Sequence, residues 1–278
     1  MKRQPQLGLV AEGSSSNSNL LRLPKLGEEL GPVKSRVLRV ARRLSNMLRA
    51  GYAVSEYEEL QAARLILLHV PDREVPRIVE ELCASELVLK ELAFALDESW
   101  LMMDALEPLR ARGAAVATLV CVPTMHRDSF IVEGDAAAAR QLRRFLERNE
   151  ARALEIRPGT KPLYFAAELL AASLPVPLFA AAQEALRASG ISGNNLSTLM
   201  DQMVQKMFRD FLKGSRVAWG GPLNQCSLET AGTYFEALSR CHPEIADTIC
   251  GHLDWARDRM QRHKDSPNDF SHALSLTG

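Results

Sequence analysis

The sequence is poor in cysteine, and its cysteines are not arranged in close pairs. No Cys-x-x-Cys occurs, and the number is odd, at five: Cys83, Cys121, Cys226, Cys241 and Cys250. This usage argues against a disulfide framework, so we expect reduced thiols in a compartment that does not form structural disulfides.

Metal-ligand spacing is also missing. Cys241-His242 and Cys250-Gly251-His252 combine the right residue types. On a helix, however, positions 241 and 252 lie about 16 Å apart along the axis, and positions 250 and 252 point to different faces. Tetrahedral zinc sites need ligands that converge, so we expect no metal.

The chain has no excess of charge of either sign. Lys+Arg and Asp+Glu both number 34, which gives a formal net charge of zero. Because nucleic-acid affinity depends on neutralising phosphates, this balance argues against a nucleic-acid partner. A local basic pocket for a phosphorylated cofactor is still compatible with it.

Long apolar runs are absent as well. No uninterrupted run approaches the ~18 residues of a membrane span, and the longest candidate, residues 65–70, has the length of a strand. The basic start at residues 1–5 has no signal-peptide core behind it. We therefore expect a cytoplasmic protein without a membrane partner.

The first half of the chain alternates strand and helix patterns. Residues 65–70 are continuously apolar apart from His69, which is typical of a strand buried on both faces. Apolar residues recur at helical spacing over residues 33–49, with Pro32 as a helix start and Gly51 as a stop. A capping box at residues 55–58 predicts a further short helix to about residue 63. The predicted strands are 7–11, 52–54, 65–70, 87–89, 115–122 and 129–132, and the other predicted helices are 74–83, 99–112 and 136–147. This alternation predicts a Rossmann-like α/β domain with a mostly parallel sheet.

After about residue 155 the sequence shows no strand pattern. Helices are predicted at 162–173, 178–189, 196–213, 227–241 and 243–263. We therefore predict three regions: a Rossmann-like domain at 1–153, an all-helical dimerisation or substrate domain at 154–265, and a flexible tail at 266–278.

The loop after the first strand is the predicted cofactor site. In a Rossmann domain this turn is rich in glycine and presents backbone N–H groups to a pyrophosphate. The motif Gly-x-Gly-x-x-Gly is absent here, with Ala11 and Ser16 in the outer positions, and the next amphipathic helix begins some twenty residues late. The residues assigned to the cofactor are Gly8, Gly13, Ser14, Ser15, Ser16 and Asn17. The alternative is a Rossmann scaffold that has lost its cofactor.

Two further patterns suggest parts of a site. Val70-Pro71-Asp72 follows the central strand, where ligands bind in open α/β sheets, although a plain tight turn is equally consistent. An acidic ligand for the ribose is expected after the second strand, where Ser55-Glu56 stands, and the choice between NAD and NADP stays open.

Lys161 and Tyr164 are the predicted catalytic residues. Three positions apart, they share one helix face, and each can donate to a carbonyl substrate. Taken alone, this spacing more commonly reflects a surface lysine next to a half-buried tyrosine, with no catalytic role for either. The loop at residues 220–225 suits either close approach to a ligand or a plain helix connection.

The order and spacing of several motifs resemble a known group. These are the bacterial Rossmann-like proteins with a C-terminal helical domain of unassigned function, often named coenzyme F420-dependent NADP oxidoreductases. Their fold is similar to pyrroline-5-carboxylate reductase and to the 6-phosphogluconate dehydrogenase type. The motifs are Val70-Pro71-Asp72, Leu106-Glu107-Pro108-Leu109 with Gly113-Ala114, residues 130–135, residues 161–167 and Gly221-Pro222-Leu223.

The chain departs from that family at several positions. Phe165 stands where a histidine is usual, and Gln225-Cys226-Ser227 replaces Arg-Gly-Asp. The loops expected to carry His-Ser-Gly and His-Pro correspond to residues 94–96 and 121–123. Together with the broken glycine motif, these losses indicate a divergent member.

Two functional hypotheses follow from the resemblance. The first is an NAD(P)-dependent oxidoreductase of open substrate, with NADP as cofactor, held by residues 14–17 and Asp72, while Lys161 and Tyr164 polarise a carbonyl. The second is a catalytically inactive, dimeric binding or scaffold protein without a cofactor. Both imply a homodimer, with a small-molecule substrate or none.

Overall fold

The structure, a computed structural model, describes residues 7–12, 18–123, 128–213 and 225–262. The chain divides into two compact units, Met1–Ala167 and Glu168–Gly278. The boundary placed after residue 153 from the sequence falls within the last strand of the first unit.

The first unit is built on one eight-stranded sheet. Its strands are β1 Leu7–Ala11, β2 Leu30–Lys34, β3 Tyr52–Val54, β4 Leu65–His69, β5 Ala93–Asp97, β6 Ala115–Cys121, β7 Ser129–Gly134 and β8 Arg152–Glu155. Their order is β3-β2-β1-β4-β5-β6-β7-β8, and every neighbouring pair is parallel except β6 with β7. The first six strands have the Rossmann order, with the switch point between β1 and β4, so the predicted fold class is confirmed.

Helices cover both faces of this sheet. They are α1 Leu26–Glu29, α2 Leu38–Leu48, α3 Val75–Ala84, α4 Glu107–Ala111 and α5 Ala136–Arg148, and α6 Lys161–Glu168 follows β8. Leu44 of α2 and Phe145 of α5 pack on one face, and Ile78 of α3 and Leu109 of α4 pack on the other. Two covered faces explain why the central strands are continuously apolar.

The second strand was not expected from the sequence. The sequence patterns predict no strand between residues 11 and 52 and take Pro32 as a helix start, but β2 contains Pro32, and α2 begins only at Leu38. Proline lacks an N–H and is normally unsuited to an inner strand. Here the register slips by one residue, from Leu7 opposite Leu30 to Leu9 opposite Val33, and this bulge absorbs the proline.

The strand predicted at residues 87–89 was also wrong. Leu89–Glu91 is a 3-10 turn, and the strand is β5 at Ala93–Asp97. The predicted helix at 99–112 is shortened to a 3-10 turn, Met103–Leu106, followed by α4. Residues 94–96 therefore lie inside β5, and this strand ends with the carboxylate of Asp97.

Smaller differences concern the ends of elements. The capping box lies one residue later than expected, because the Glu59 carboxylate accepts the N–H groups of Ser55 and Glu56. It opens a 3-10 helix, Tyr57–Ala62. Strand β8 was missed, and it pairs in parallel with β7.

Every described element of the second unit is helical. A π-helical turn, Leu169–Ser173, leads to α7 Pro175–Ala188, α8 Gly193–Lys213, α9 Leu228–Cys241 and α10 Pro243–Arg262. The predicted all-helical architecture is confirmed for these residues.

Among the residues that the structure describes, one helical stretch is long and apolar enough to cross a membrane, judged by length and composition alone. It is Lys161–Ala188, whose most apolar window has a mean hydropathy of 1.7 and is not buried in the chain. This stretch contains no uninterrupted apolar run of that length in the sequence, because polar residues such as Glu168 and Ser173 lie within it. A single such helix is weak support for membrane insertion, since it also suits contact with another protein surface.

Candidate functional site

The carboxyl ends of β1 and β4 meet at the switch point of the sheet. Ala11 pairs with His69, and the N–H of Glu12 donates to the His69 carbonyl at 3.3 Å. In open α/β sheets, ligands bind in the crevice outside this edge. The side chains that surround the two strand ends therefore form the candidate site.

A histidine and an aspartate from neighbouring strands join at this edge. His69 Nδ1 lies 2.8 Å from Asp97 Oδ2, and Ser18 Oγ donates to the same carboxylate oxygen at 2.9 Å. The Asp97 side chain is fully buried, whereas 18% of the His69 side chain is exposed. Asp97 thus orients the ring through Nδ1 and leaves Nε2 as the nitrogen that a ligand can reach.

Asp97 also determines the charge of that ring. Burial opposes protonation of His69, but the hydrogen bond and the negative charge of Asp97 outweigh it, so the pKa of His69 is raised above its ordinary value. Asp97 Oδ1 is buried and has no hydrogen-bond partner within the described residues. Such an unsatisfied oxygen is costly unless another group reaches it.

The next residue has a strained backbone. Glu98 has φ of 51°, in the left-handed region, and its Oε1 accepts the N–H of Asn19 at 2.8 Å. Burial raises the pKa of Glu98, and the charge of Asp97 adds to that effect, while the bonds from Asn19 oppose it. Strained non-glycine residues of this kind occur often at functional sites.

Lys161, predicted to be catalytic, is buried against the loop that follows β5. Its Nζ donates to the carbonyls of Ser99 at 2.6 Å and Leu101 at 2.8 Å. Burial lowers its pKa to about 8, opposed by the charges of Glu133 and Asp72. Two of its three N–H groups thus donate to backbone carbonyls, so Lys161 stabilises the conformation of this loop.

Aromatic side chains lie above the same loop. Trp100 stacks on Tyr164, with ring centroids 6.1 Å apart, and meets Phe165 edge-on at 5.0 Å. Tyr164 therefore belongs to an aromatic cluster with the residue that replaces the family histidine. Sequence spacing brought Lys161 and Tyr164 to one helix but did not show that both contact residues 99–101.

The predicted turn after β4 connects to this loop too. Asp72 Oδ1 accepts a hydrogen bond from Ser99 Oγ at 2.7 Å. Val70 is buried and Pro71 is exposed. The turn at residues 70–72 therefore holds the loop after β5 through Asp72, and its assignment to the cofactor stays a prediction.

Gly8, assigned to the cofactor, lies in the middle of β1. A Cβ added there would come within 2.8 Å of Ile66 Cδ1, so the residue permits close packing of buried side chains. Gly13, Ser14, Ser15, Ser16 and Asn17 lie outside the described residues, as do positions 220–224.

The end of β2 holds a different group of residues from the one expected. Ser55-Glu56 follows β3, and the residues that follow Val33 are Lys34, Ser35 and Arg36. In Rossmann domains, residues at the carboxyl end of the second strand bind the adenosine ribose of the dinucleotide. Ser35 Oγ is buried without a partner among the described residues, and the N–H of Arg36 donates to Glu12 Oε1 at 2.7 Å.

Within the described residues, no group of three or more His, Cys, Asp or Glu side chains is placed to hold a metal ion. No disulfide bond joins any two of the five cysteines, all of which are described.

Sequence reasoning missed the residues that meet at the edge. His69 carried a signal, because it was the one polar side chain in the strongest strand pattern. Asp97 carried none, because β5 had been placed too early and position 97 fell in a predicted inter-element segment.

Comparison with known proteins identifies a family for part of the chain. Residues 129–247 match the domain of unknown function DUF2520. No curated protein matches the sequence.

Several solved structures share the whole fold. A candidate NADP oxidoreductase from Bacteroides fragilis is 15% identical, with 88% of this chain and 94% of that chain covered and a TM-score of 0.68. A pyrroline-5-carboxylate reductase from Coxiella burnetii is 13% identical, with 90% and 97% covered and a TM-score of 0.56. An imine reductase variant from Myxococcus stipitatus, in complex with NAD+, is 14% identical, with 99% of each chain covered and a TM-score of 0.60.

At these identities the likeness shows the fold alone. Residues 129–247 are thus similar to DUF2520, and the fold resembles that of Rossmann-like proteins with a C-terminal helical domain.

Proposed function

We propose that this protein is an oxidoreductase that uses a nicotinamide dinucleotide. The observation that carries the proposal is the hydrogen-bonded pair of His69 and Asp97 at the switch point of a Rossmann sheet. Ligands of this fold bind at that edge of the sheet. A group there that can transfer a proton can act as a general acid or base on the bound substrate.

The residues present suit such a dinucleotide at two places. The unpartnered Asp97 Oδ1 and the partly exposed His69 ring lie at the end of the sheet that receives the nicotinamide half. The unpartnered Ser35 Oγ and the N–H of Arg36 lie at the end of β2, where the adenosine ribose binds.

When bound, a dihydronicotinamide would supply a hydride to an electron-poor carbon of the substrate. His69 is placed to supply, from Nε2, the proton that the heteroatom bonded to that carbon would then need. Asp97 accepts from Nδ1 and raises the pKa of His69, which favours the protonated ring that can act as the donor. The substrate class is therefore a polar C=O or C=N double bond. Lys161, fixed on the carbonyls of residues 99 and 101, positions the loop behind Asp97.

The form of the dinucleotide depends on the charges at the end of β2. The family resemblance implies NADP, and the exposed Arg36 is a cation suited to a 2′-phosphate. Glu12 brings a carboxylate to the same place.

Titration with NADH and NADPH tests the proposal. We expect at least one to bind, seen as a change in nicotinamide fluorescence and as thermal stabilisation. With ligand at about a hundred times Kd, the expected stabilisation is about 2.7 kcal/mol. Absence of binding by both reduced dinucleotides and by both oxidised forms would refute it.

A second candidate is a dimeric binding or scaffold protein that has lost catalysis. It is favoured by the connection from β1 to β2, whose described helices are a 3-10 turn, Leu20–Arg22, and the four-residue α1. Neither resembles the long helix whose N-terminus holds a pyrophosphate in this fold. The same titration separates the two candidates, since the scaffold requires no dinucleotide.

We further propose that the second unit contacts a second copy of the chain in the cytoplasm. Large apolar side chains on its helices are more than half exposed: Leu170, Leu174, Phe208 and Phe211. Exposed apolar surface of this kind usually marks an interface. Light scattering at micromolar concentration should give twice the 30.8 kDa chain mass, and a single-chain mass would contradict this.

A further inference from the structure

We infer that Glu12 is the residue that determines which nicotinamide dinucleotide the chain accepts, by favouring a free 2′-hydroxyl over a 2′-phosphate. This inference rests on the proposed function, because it assigns a role at the ribose end of the same crevice.

Glu12 is held in place between two strand ends. Its own N–H donates to the carbonyl of His69, and its Oε1 accepts the N–H of Arg36 at 2.7 Å. The carboxylate therefore crosses from the end of β1 to the end of β2. In Rossmann domains that select NAD, an acidic residue comes from the end of β2 itself. Here the same charge arrives from the adjacent strand.

The two cations nearby differ, because one is turned into the protein and the other is exposed and is not held by an ion pair among the described residues. Lys34 is 7% exposed, its Nζ donates to the Ser35 carbonyl at 3.1 Å, and it lies 4.7 Å from the centre of the Tyr57 ring. Its ammonium is therefore turned into the protein. The Arg36 side chain is exposed and forms no ion pair among the described residues. Glu12 supplies the carboxylate that a hydrogen bond fixes between the ends of β1 and β2.

The fixed carboxylate has opposite effects on the two dinucleotides. A ribose 2′-hydroxyl is a donor, and Glu12 Oε2 can accept it while Oε1 keeps the bond from Arg36. A 2′-phosphate carries only acceptors and almost two negative charges, so it faces like-charge repulsion. It also competes with Glu12 for the N–H of Arg36, which is already engaged.

The test compares wild type, Glu12→Gln and Glu147→Gln in titrations with NADH and NADPH at low ionic strength. Glutamine keeps an oxygen that accepts the Arg36 N–H and removes only the charge. Glu147 is exposed on α5, so its replacement is a control with the same change of net charge. Circular dichroism melting checks that each variant folds.

We expect wild type to bind NADH more tightly than NADPH. Glu12→Gln should lower the ratio of the NADPH Kd to the NADH Kd by about tenfold, which corresponds to about 1.4 kcal/mol, and Glu147→Gln should leave it unchanged. An equal ratio in wild type and Glu12→Gln, with both dinucleotides bound, overturns the role of Glu12 alone. Absence of binding in all three proteins overturns the proposed function as well.

Discussion

Replacement of Lys161 by methionine is expected to change how the stability of the first unit depends on pH. Burial lowers the pKa of Lys161 from 10.5 to about 8. Below pH 8 the amine is charged in both the folded and the unfolded chain. Between pH 8 and 10.5 the unfolded chain keeps the proton and the folded chain releases it, so the wild-type free energy of unfolding rises with pH.

The magnitude follows from the two pKa values. At about 1.36 kcal/mol for each pKa unit, the gap between 10.5 and about 8 corresponds to about 3 kcal/mol. Methionine has no charge to desolvate, so its free energy of unfolding lacks this rise. The loss of the two bonds to the carbonyls of Ser99 and Leu101 adds an offset that does not vary with pH.

Urea unfolding followed by circular dichroism at several values from pH 7 to 10.5 measures this difference. Lys90→Met is the matched control, because Lys90 is exposed and also lies in the first unit. The wild-type curve should rise relative to Lys161→Met by up to about 3 kcal/mol and stay parallel to Lys90→Met. Parallel curves for wild type and Lys161→Met would show that burial does not lower the pKa of Lys161 in the folded protein.

Two other substitutions test separate parts of the first unit. Asp97→Asn should lower the pKa of His69, because the carboxylate that raises it is removed. An NMR titration of the imidazole measures this pKa, and an unchanged value would contradict the hydrogen-bonded pair of His69 and Asp97. Gly51→Ala should cost roughly 2–4 kcal/mol, because Gly51 has φ of 70° and an added Cβ would lie 2.6 Å from the Gly31 carbonyl oxygen. Gly159→Ala, with φ of 78° and open space around it, should cost only about 1 kcal/mol, and equal losses in thermal unfolding would show that contact plays no part.

The sequence predicted the fold class well because the strongest patterns belong to its central elements. β1, β3, β4, β6 and β7 were all located, since buried strands are apolar runs bounded by turn residues. β2 was missed for a physical reason: the valines at 33, 37 and 40 happen to repeat at helical spacing, although the first belongs to a strand. A bulge then tolerates a proline that sequence rules assign to a helix start.

The candidate site was harder to predict than the fold. His69 and Asp97 are separated by 28 positions, and their contact exists only because β4 and β5 are neighbours in register. Glu12 and Arg36 meet for the same kind of reason, across β1 and β2. Lys161 was recognised as unusual, but its partners are backbone carbonyls, which leave no signature in a sequence.

The fastening of residues 99–101 has a consequence for how a ligand reaches the crevice. Lys161 ties two carbonyls of this loop, and Asp72 ties the hydroxyl of Ser99. A loop that is hydrogen-bonded to two different elements is rigid, so it is poorly suited to act as a lid. Admission of a substrate then has to occur without this loop swinging open.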